Sequence, residues 1–185
     1  MDFIKNFLKG KIKFFIITIF FIYILQIVLL GFLFSLTDEN VDSGSGGSIG
    51  KGVEYEASEE VQKKIVDSAY KTSSPGAGLC AMWVSQVYQK AGLGYIGGNA
   101  NDMYRNYTFT SDRKKLKVGM LVAVESCSTG GTAGRIYGHV GIYIGDGKVM
   151  DNIGRIRVIS LDDWIASCCK NSPVGFGFPP NVNIR

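Results

Sequence analysis

Histidine is almost missing from this chain: among 185 residues only His139 carries an imidazole. Any scheme that needs histidine must therefore run through that residue. The four cysteines, Cys80, Cys127, Cys168 and Cys169, contain no CxxC pair. With a single histidine this leaves too few spaced ligands for zinc, and neither a metal nor a cofactor is expected. Strong net charge is missing as well. The formal charge is +4, and residues 53–185 carry only +3, too little to argue for nucleic acid as a partner. No internal repeat is visible.

Charge is absent altogether between Phe14 and Leu36. Over those 23 residues only Thr18, Gln26 and Ser35 are clearly polar. A bilayer core takes about 20 residues in helix, so 14–36 is expected to be a transmembrane helix. Lys5, Lys9, Lys11 and Lys13 precede it and Asp38, Glu39 and Asp42 follow it. The excess of lysine before the span places residues 1–13 in the cytoplasm and the rest outside the cell membrane. A small-x-small cleavage site is missing around Phe32–Leu36, which favours an uncleaved anchor over a signal peptide. Residues 37–52 are Gly/Ser-rich and read as a flexible tether. The remaining 133 residues, 53–185, suffice for one hydrophobic core.

Within that domain the helical signals come first. Residues 58–70 are amphipathic, with Val61, Ile65, Val66 and Ala69 on one side and Ser58 as the candidate cap. The segment Thr72–Gly78 breaks regular structure. A second helix is expected from Cys80 to the Ala91-Gly92 stop, with Val84, Val87, Tyr88 and Ala91 inward. Strand signals follow at Val118–Val124, then a glycine-rich loop at Thr129–Gly134, then His139–Ile144. Gly145-Asp146-Gly147-Lys148 is a hairpin turn returning through Val149–Asn152, and Arg155–Ile159 alternates like a third strand. Ser160-Leu161-Asp162-Asp163 has the form of a capping box that opens a short helix through Trp164. Helices first and strands afterwards predict an α+β domain with an antiparallel sheet.

A cysteine in the first turn of a helix, after flexible glycines, has unsatisfied N–H groups and the positive end of the helix dipole beside it. Both favour the thiolate. Cys80 is so placed, although most lone cysteines serve as small buried hydrophobes. His139 begins a strand beside Gly138 and Gly141, which let another group approach closely. A histidine hydrogen-bonded at a sheet end would have the same pattern. Cys168 and Cys169 are adjacent and are read as structural. An external location permits disulfides, but the spacing specifies no pairing. Trp83 and Trp164 are read as core or groove-wall aromatics, the basic run Arg113-Lys114-Lys115 with Lys117 as a solvated face, and Asn99–Tyr104 as a segment able to line a cleft.

Three blocks together carry a resemblance. Leu79-Cys80-Ala81-Met82-Trp83-Val84, Leu116-Lys117-Val118-Gly119-Met120-Leu121-Val122 and His139-Val140-Gly141-Ile142-Tyr143-Ile144-Gly145-Asp146-Gly147-Lys148 resemble the NlpC/P60-type cell-wall cysteine peptidases. The likeness spans roughly residues 58–160. It implies a papain-like fold, a Cys-bearing helix packed on the sheet that carries the histidine, and hydrolysis of peptidoglycan stem-peptide amides through a thioester. Leu79 before the cysteine, Ala81-Met82 after it, and Val118-Gly119-Met120 in the strand block depart from the usual family pattern and lean toward the related CHAP branch. The resemblance also implies a third, polar residue about twelve positions after the histidine. Asp151 holds that position. A three-residue bulged turn puts Asp151 on the histidine's face and a two-residue Asp146-Gly147 turn would put Asn152 there, so both stay open, with Asp151 preferred. Peptidoglycan is the implied substrate. The tether suggests work on wall near the membrane, for instance beside an envelope-spanning secretion or conjugation machine. Acyl transfer on the same fold and a silent wall-binding module are the alternatives.

Overall fold

Five strands form one antiparallel sheet: β1 (Leu121–Val124), β2 (His139–Gly145), β3 (Lys148–Asn152), β4 (Ile156–Ser160) and β5 (Val174–Gly177), in the order β4-β3-β2-β1-β5. Six α-helices accompany them among the described residues: α1 (Val53–Glu56), α2 (Glu60–Tyr70), α3 (Cys80–Lys90), α4 (Ala100–Tyr107), α5 (Gly131–Tyr137) and α6 (Leu161–Cys168). The expected α+β class and antiparallel sheet are both present. This is a computed structural model that describes residues 51–168, 170 and 172–183. The expected span at 14–36, its flanking charges, the tether up to residue 50 and Cys169 lie outside the described residues. Among the described residues no helix is long and apolar enough to cross a membrane.

The core joins helices to sheet. Ile65 and Val66 of α2, Trp83, Val84 and Val87 of α3, and Met103 of α4 are buried with Leu121, Val122 and Ile142 of the central strands. Burying each large apolar side chain contributes about 1.5–3 kcal/mol. Trp83 also satisfies its indole N–H, which donates to Thr72 O at 3.0 Å. This anchors α3 to the segment that leads into Cys80.

Local chemistry decides where the elements begin and end. α2 starts at Glu60, not after Ser58, because Ser58 Oγ is spent on Glu54 O at 2.6 Å. Glu59 N–H donates instead to Gln62 Oε1 at 3.0 Å. α3 ends as its glycine predicts. Gly92, at φ 81°, donates to Gln89 O, and Leu93 donates to Tyr88 O, both at 3.0 Å. These two bonds form a Schellman stop. The strand expected from Val118 begins only at Leu121. Gly119 takes φ 84° in a turn closed by the Met120 N–H to Lys117 O bond at 3.0 Å. The expected glycine-rich loop at Thr129–Gly134 is corrected too. It folds into a 3-10 turn, Ser128–Gly130, followed by α5.

The β2–β3 hairpin fixes the register on which the site depends. In place of the three-residue turn that went with Asp151, Asp146 at φ 47° and Gly147 at φ 69° make a two-residue loop, the geometry of a type I′ turn. Taken alone, that loop would put Asn152 on the face of His139. A bulge intervenes: Tyr143 pairs with Val149 and Gly145 with Lys148, leaving Ile144 as the extra residue. The bulge restores the parity, so Gly141 pairs with Asp151. Because Gly141 and His139 are two residues apart on β2, Asp151 shares their face.

Candidate active site

Three elements meet where α3 begins. Cys80 is the first residue of α3, and His139 the first of β2. Gly138, at φ 76°, turns the chain into β2; a Cβ there would stand 2.1 Å from Val124 O. The opening of β2, and with it the imidazole, is thereby held against β1. Gly141 has a related role. A Cβ on it would lie 3.1 Å from Asp151 Cβ and 2.9 Å from Met150 O. The missing side chain leaves the Asp151 carboxylate a path to His139.

His139 Nε2–H donates to Asp151 Oδ2 at 2.7 Å. With that nitrogen occupied, Nδ1 is the ring atom left to act on Cys80, which lines the same cleft and whose ionisation the imidazole favours. The three candidates from the sequence, Cys80, His139 and Asp151, are therefore brought together in one chain of contacts. Asn152, the rival third residue, faces other partners. Its Nδ2 donates to Gly76 O at 2.8 Å, and its Oδ1 accepts from Ser74 Oγ at 2.7 Å and from Gly154 N–H at 3.1 Å. It braces the loop that delivers Cys80.

Asp151 is fully buried and accepts four hydrogen bonds. Besides His139, Arg157 gives Nε to Oδ1 at 2.8 Å and Nη2 to Oδ2 at 3.1 Å, and Trp164 gives Nε1 to Oδ2 at 3.0 Å. Burial alone would raise this carboxyl. The bonds and charges of His139 and Arg157 outweigh it and hold the group below its ordinary value. Trp164 also stacks on the imidazole, with ring centroids 5.6 Å apart and planes at 21°. The ring is thus fixed by a bond at one edge and an aromatic face along its plane.

Electrostatics follow from this packing. For His139, burial disfavours the imidazolium, but the bonds to Asp151 and Cys80 prevail and push it up to about 10. For Cys80, burial opposes ionisation. The His139 bond and charge, with the backbone N–H groups of Val140 and Ala81, prevail and hold the thiol below its ordinary value. Both shifts favour the thiolate–imidazolium pair, which can attack a carbonyl and then protonate a leaving group.

The thiol opens onto a cleft of about 570 Å³ whose walls include Asn99, Tyr137, Arg157 and Cys168. That volume suits a short peptide or other small ligand. Of the segment Asn99–Tyr104, Asn99 and Ala100 reach this cleft, while Tyr104 lines a separate shallow depression. The basic run stays outside it; Arg113 pairs with Asp162 at 2.6 Å. Arg157 was missed by sequence reasoning. Its signal was present in the alternation of Arg155–Ile159, since β4 pairs Arg157 directly with Asp151. Trp164 was expected as a wall or core aromatic, but its bond to Asp151 depends on how α6 packs.

The thiolate–imidazolium pair has a direct consequence for thiol chemistry. Cys80 should be alkylated well below the pH of about 8.5 at which an ordinary thiol titrates, while Cys168, buried and drawn up, reacts later. In His139→Ala the stabilising charge is gone and burial remains, so the Cys80 titration should move upward. Iodoacetamide rates against pH, with peptide mapping, check this. Equal rates for all cysteines in the folded chain would count against the pair.

No protein-family model matches the chain, and no curated protein matches it.

Proposed function

We propose that the chain is a papain-like cysteine hydrolase that cleaves amide bonds in peptidoglycan stem peptides. One observation carries the chemical part of this reading: Cys80 shares a cleft with an imidazole whose Nε2 lies 2.7 Å from a buried carboxylate. A buried helix-start thiol can have a purely structural role, but that role needs no histidine so fixed. The wall substrate rests on the three-block resemblance, and the order of elements, a cysteine helix followed by a histidine strand, supports it.

In the reaction the Cys80 thiolate attacks the amide carbonyl carbon, and the carbonyl electrons move onto oxygen. The first-turn N–H of Cys80 has no carbonyl partner within its helix and is the donor available to that oxyanion. Collapse breaks the C–N bond, and the His139 imidazolium gives its Nδ1 proton to the departing amine. A thioester remains on Cys80. Neutral His139 then takes a proton from water, the hydroxide attacks the thioester, and the acid is released with the thiolate restored. Asp151 holds the ring orientation throughout and stabilises the imidazolium without itself taking the proton.

The anchor read from residues 14–36 would keep this chemistry close to the membrane, outside the cell. The test is to incubate the full chain in detergent with purified peptidoglycan and analyse the released muropeptides by mass spectrometry. New free amines and carboxyls in stem peptides support hydrolysis. Products with new amide links identify transfer, and an unchanged wall identifies a silent module; either outcome defeats the reading.

A further inference from the structure

Two thiols that the proposed reaction does not use lie in the wall of the same cleft. Cys127 follows β1 and Cys168 ends α6, and both are buried. They turn toward a common hydroxyl: Thr129 Oγ1 is 3.2 Å from Cys127 Sγ and 4.0 Å from Cys168 Sγ. Ser167 Oγ donates to Cys168 Sγ at 3.8 Å, and the two thiols are close enough to shift each other's ionisation. The Cys127 backbone is fixed, its N–H donating to Gly134 O at 2.9 Å. A Cβ at Gly134 would stand 2.7 Å from Cys127 O, so the segment folds back tightly on this cysteine.

We infer that Cys127 and Cys168 form a disulfide that fastens the Cys127–Tyr137 segment, one wall of the cleft, to α6. The oxidant required is a small disulfide of the glutathione-disulfide class. One cysteine thiolate attacks a sulfur of that disulfide, forming a mixed disulfide and expelling one thiol. The other cysteine thiolate then attacks the protein sulfur, forming the Cys127–Cys168 bond and expelling the second thiol. Two electrons and two protons pass from the pair to the oxidant. The pair is electrostatically prepared for this. The interaction with Cys168, with Thr129, draws the Cys127 thiol down, while the same interaction and burial push Cys168 up. One thiolate is therefore available as the attacking group. A cross-link here closes a loop on the order of 40 residues, long enough to restrict the unfolded chain substantially.

The experiment does not depend on hydrolase activity. The full chain in detergent is equilibrated with oxidised glutathione or with dithiothreitol, alkylated, digested and mapped by mass spectrometry. The expected product joins the peptides bearing Cys127 and Cys168 with the loss of two hydrogens. It persists in Cys169→Ala and disappears in Cys127→Ala and Cys168→Ala. Unfolding is followed by tryptophan fluorescence, because both tryptophans, Trp83 and Trp164, lie in the outer domain. The oxidised chain should melt about 10 °C above the reduced one, given the stabilisation usual for such a loop. Recovery of alkylated Cys127 and Cys168 after oxidation, or pairing of either with Cys80 or Cys169, overturns the assignment. A Cys127–Cys168 bond that leaves the midpoint unchanged overturns the fastening.

Discussion

Cys80→Ala is expected to abolish release of muropeptides, a loss on the order of 10⁶ in kcat if the pair behaves as a nucleophile and base acting together. Among the described residues no other thiol is placed to substitute, since Cys127 and Cys168 turn toward Thr129. His139→Ala should come close to the same loss, because the chain has no second imidazole. The double variant should be hardly worse than either single one, as members of one catalytic unit are strongly non-additive. The fold should survive Cys80→Ala, which trims a partly exposed side chain from the first turn of α3. Unfolding followed by tryptophan fluorescence separates lost chemistry from lost structure. Chromatography and mass spectrometry of digests measure the activity. Turnover by Cys80→Ala comparable to that of the unaltered chain would remove the nucleophile from the proposal.

The parts of this arrangement that could be read from the sequence are those set by local rules. The Cys80 helix and its Gly92 stop follow from apolar spacing and from the positive φ that glycine supplies. The order of the strands around His139 follows from alternation and one turn signal. The loop length was not legible: the preference for Asp151 went with a three-residue turn, whereas the chain makes a two-residue loop at Asp146-Gly147. What the residues could not disclose was the bulge at Ile144. Nothing distinguishes that residue from its neighbours, yet it decides whether Asp151 or Asn152 faces the histidine. Glycine misled in the opposite direction at Thr129–Gly134, where local composition suggested a loop and the segment closes into α5. There Gly134 is required by contact with Cys127 O, a tertiary demand rather than a turn. Arg157 and Trp164 belong to a third kind. Each is ordinary in its own segment and gains significance only when β4 and α6 converge on one buried carboxylate. The expected membrane span, by contrast, lies outside the described residues and is read from the sequence of residues 14–36 alone.

Asp151→Ala should both slow the proposed hydrolysis and loosen the domain, and the two effects can be separated. Without the carboxylate the imidazole loses the bond that holds its orientation and its charged form. By the precedent of other triads the loss in kcat is about 10⁴-fold. The same change leaves Arg157 without its partner and the buried Trp164 N–H without its acceptor. Breaking a buried ion pair from one side costs about 3–5 kcal/mol. Because Arg157 is partly exposed and can turn to water, the lower end is expected here, seen as a fall in the melting midpoint of about 10 °C. Asp151→Asn keeps the volume and removes the charge, so it should lose nearly as much activity with less damage to packing. Its pH behaviour gives the sign. The native carboxyl titrates below its ordinary value of 3.8, so it stabilises the fold above that pH, and the contribution disappears as pH falls through the lower folded value. Asp151→Asn should lack that part of the acid limb. Asn152→Ala is the control. Its amide bonds Gly76 and Ser74 rather than the imidazole, so it should soften the Cys80 loop and cost far less in kcat. Combining Asp151→Ala with His139→Ala should add little to the His139 loss. Should Asn152→Ala cripple turnover while Asp151→Ala leaves it nearly intact, the carboxylate does not orient the base.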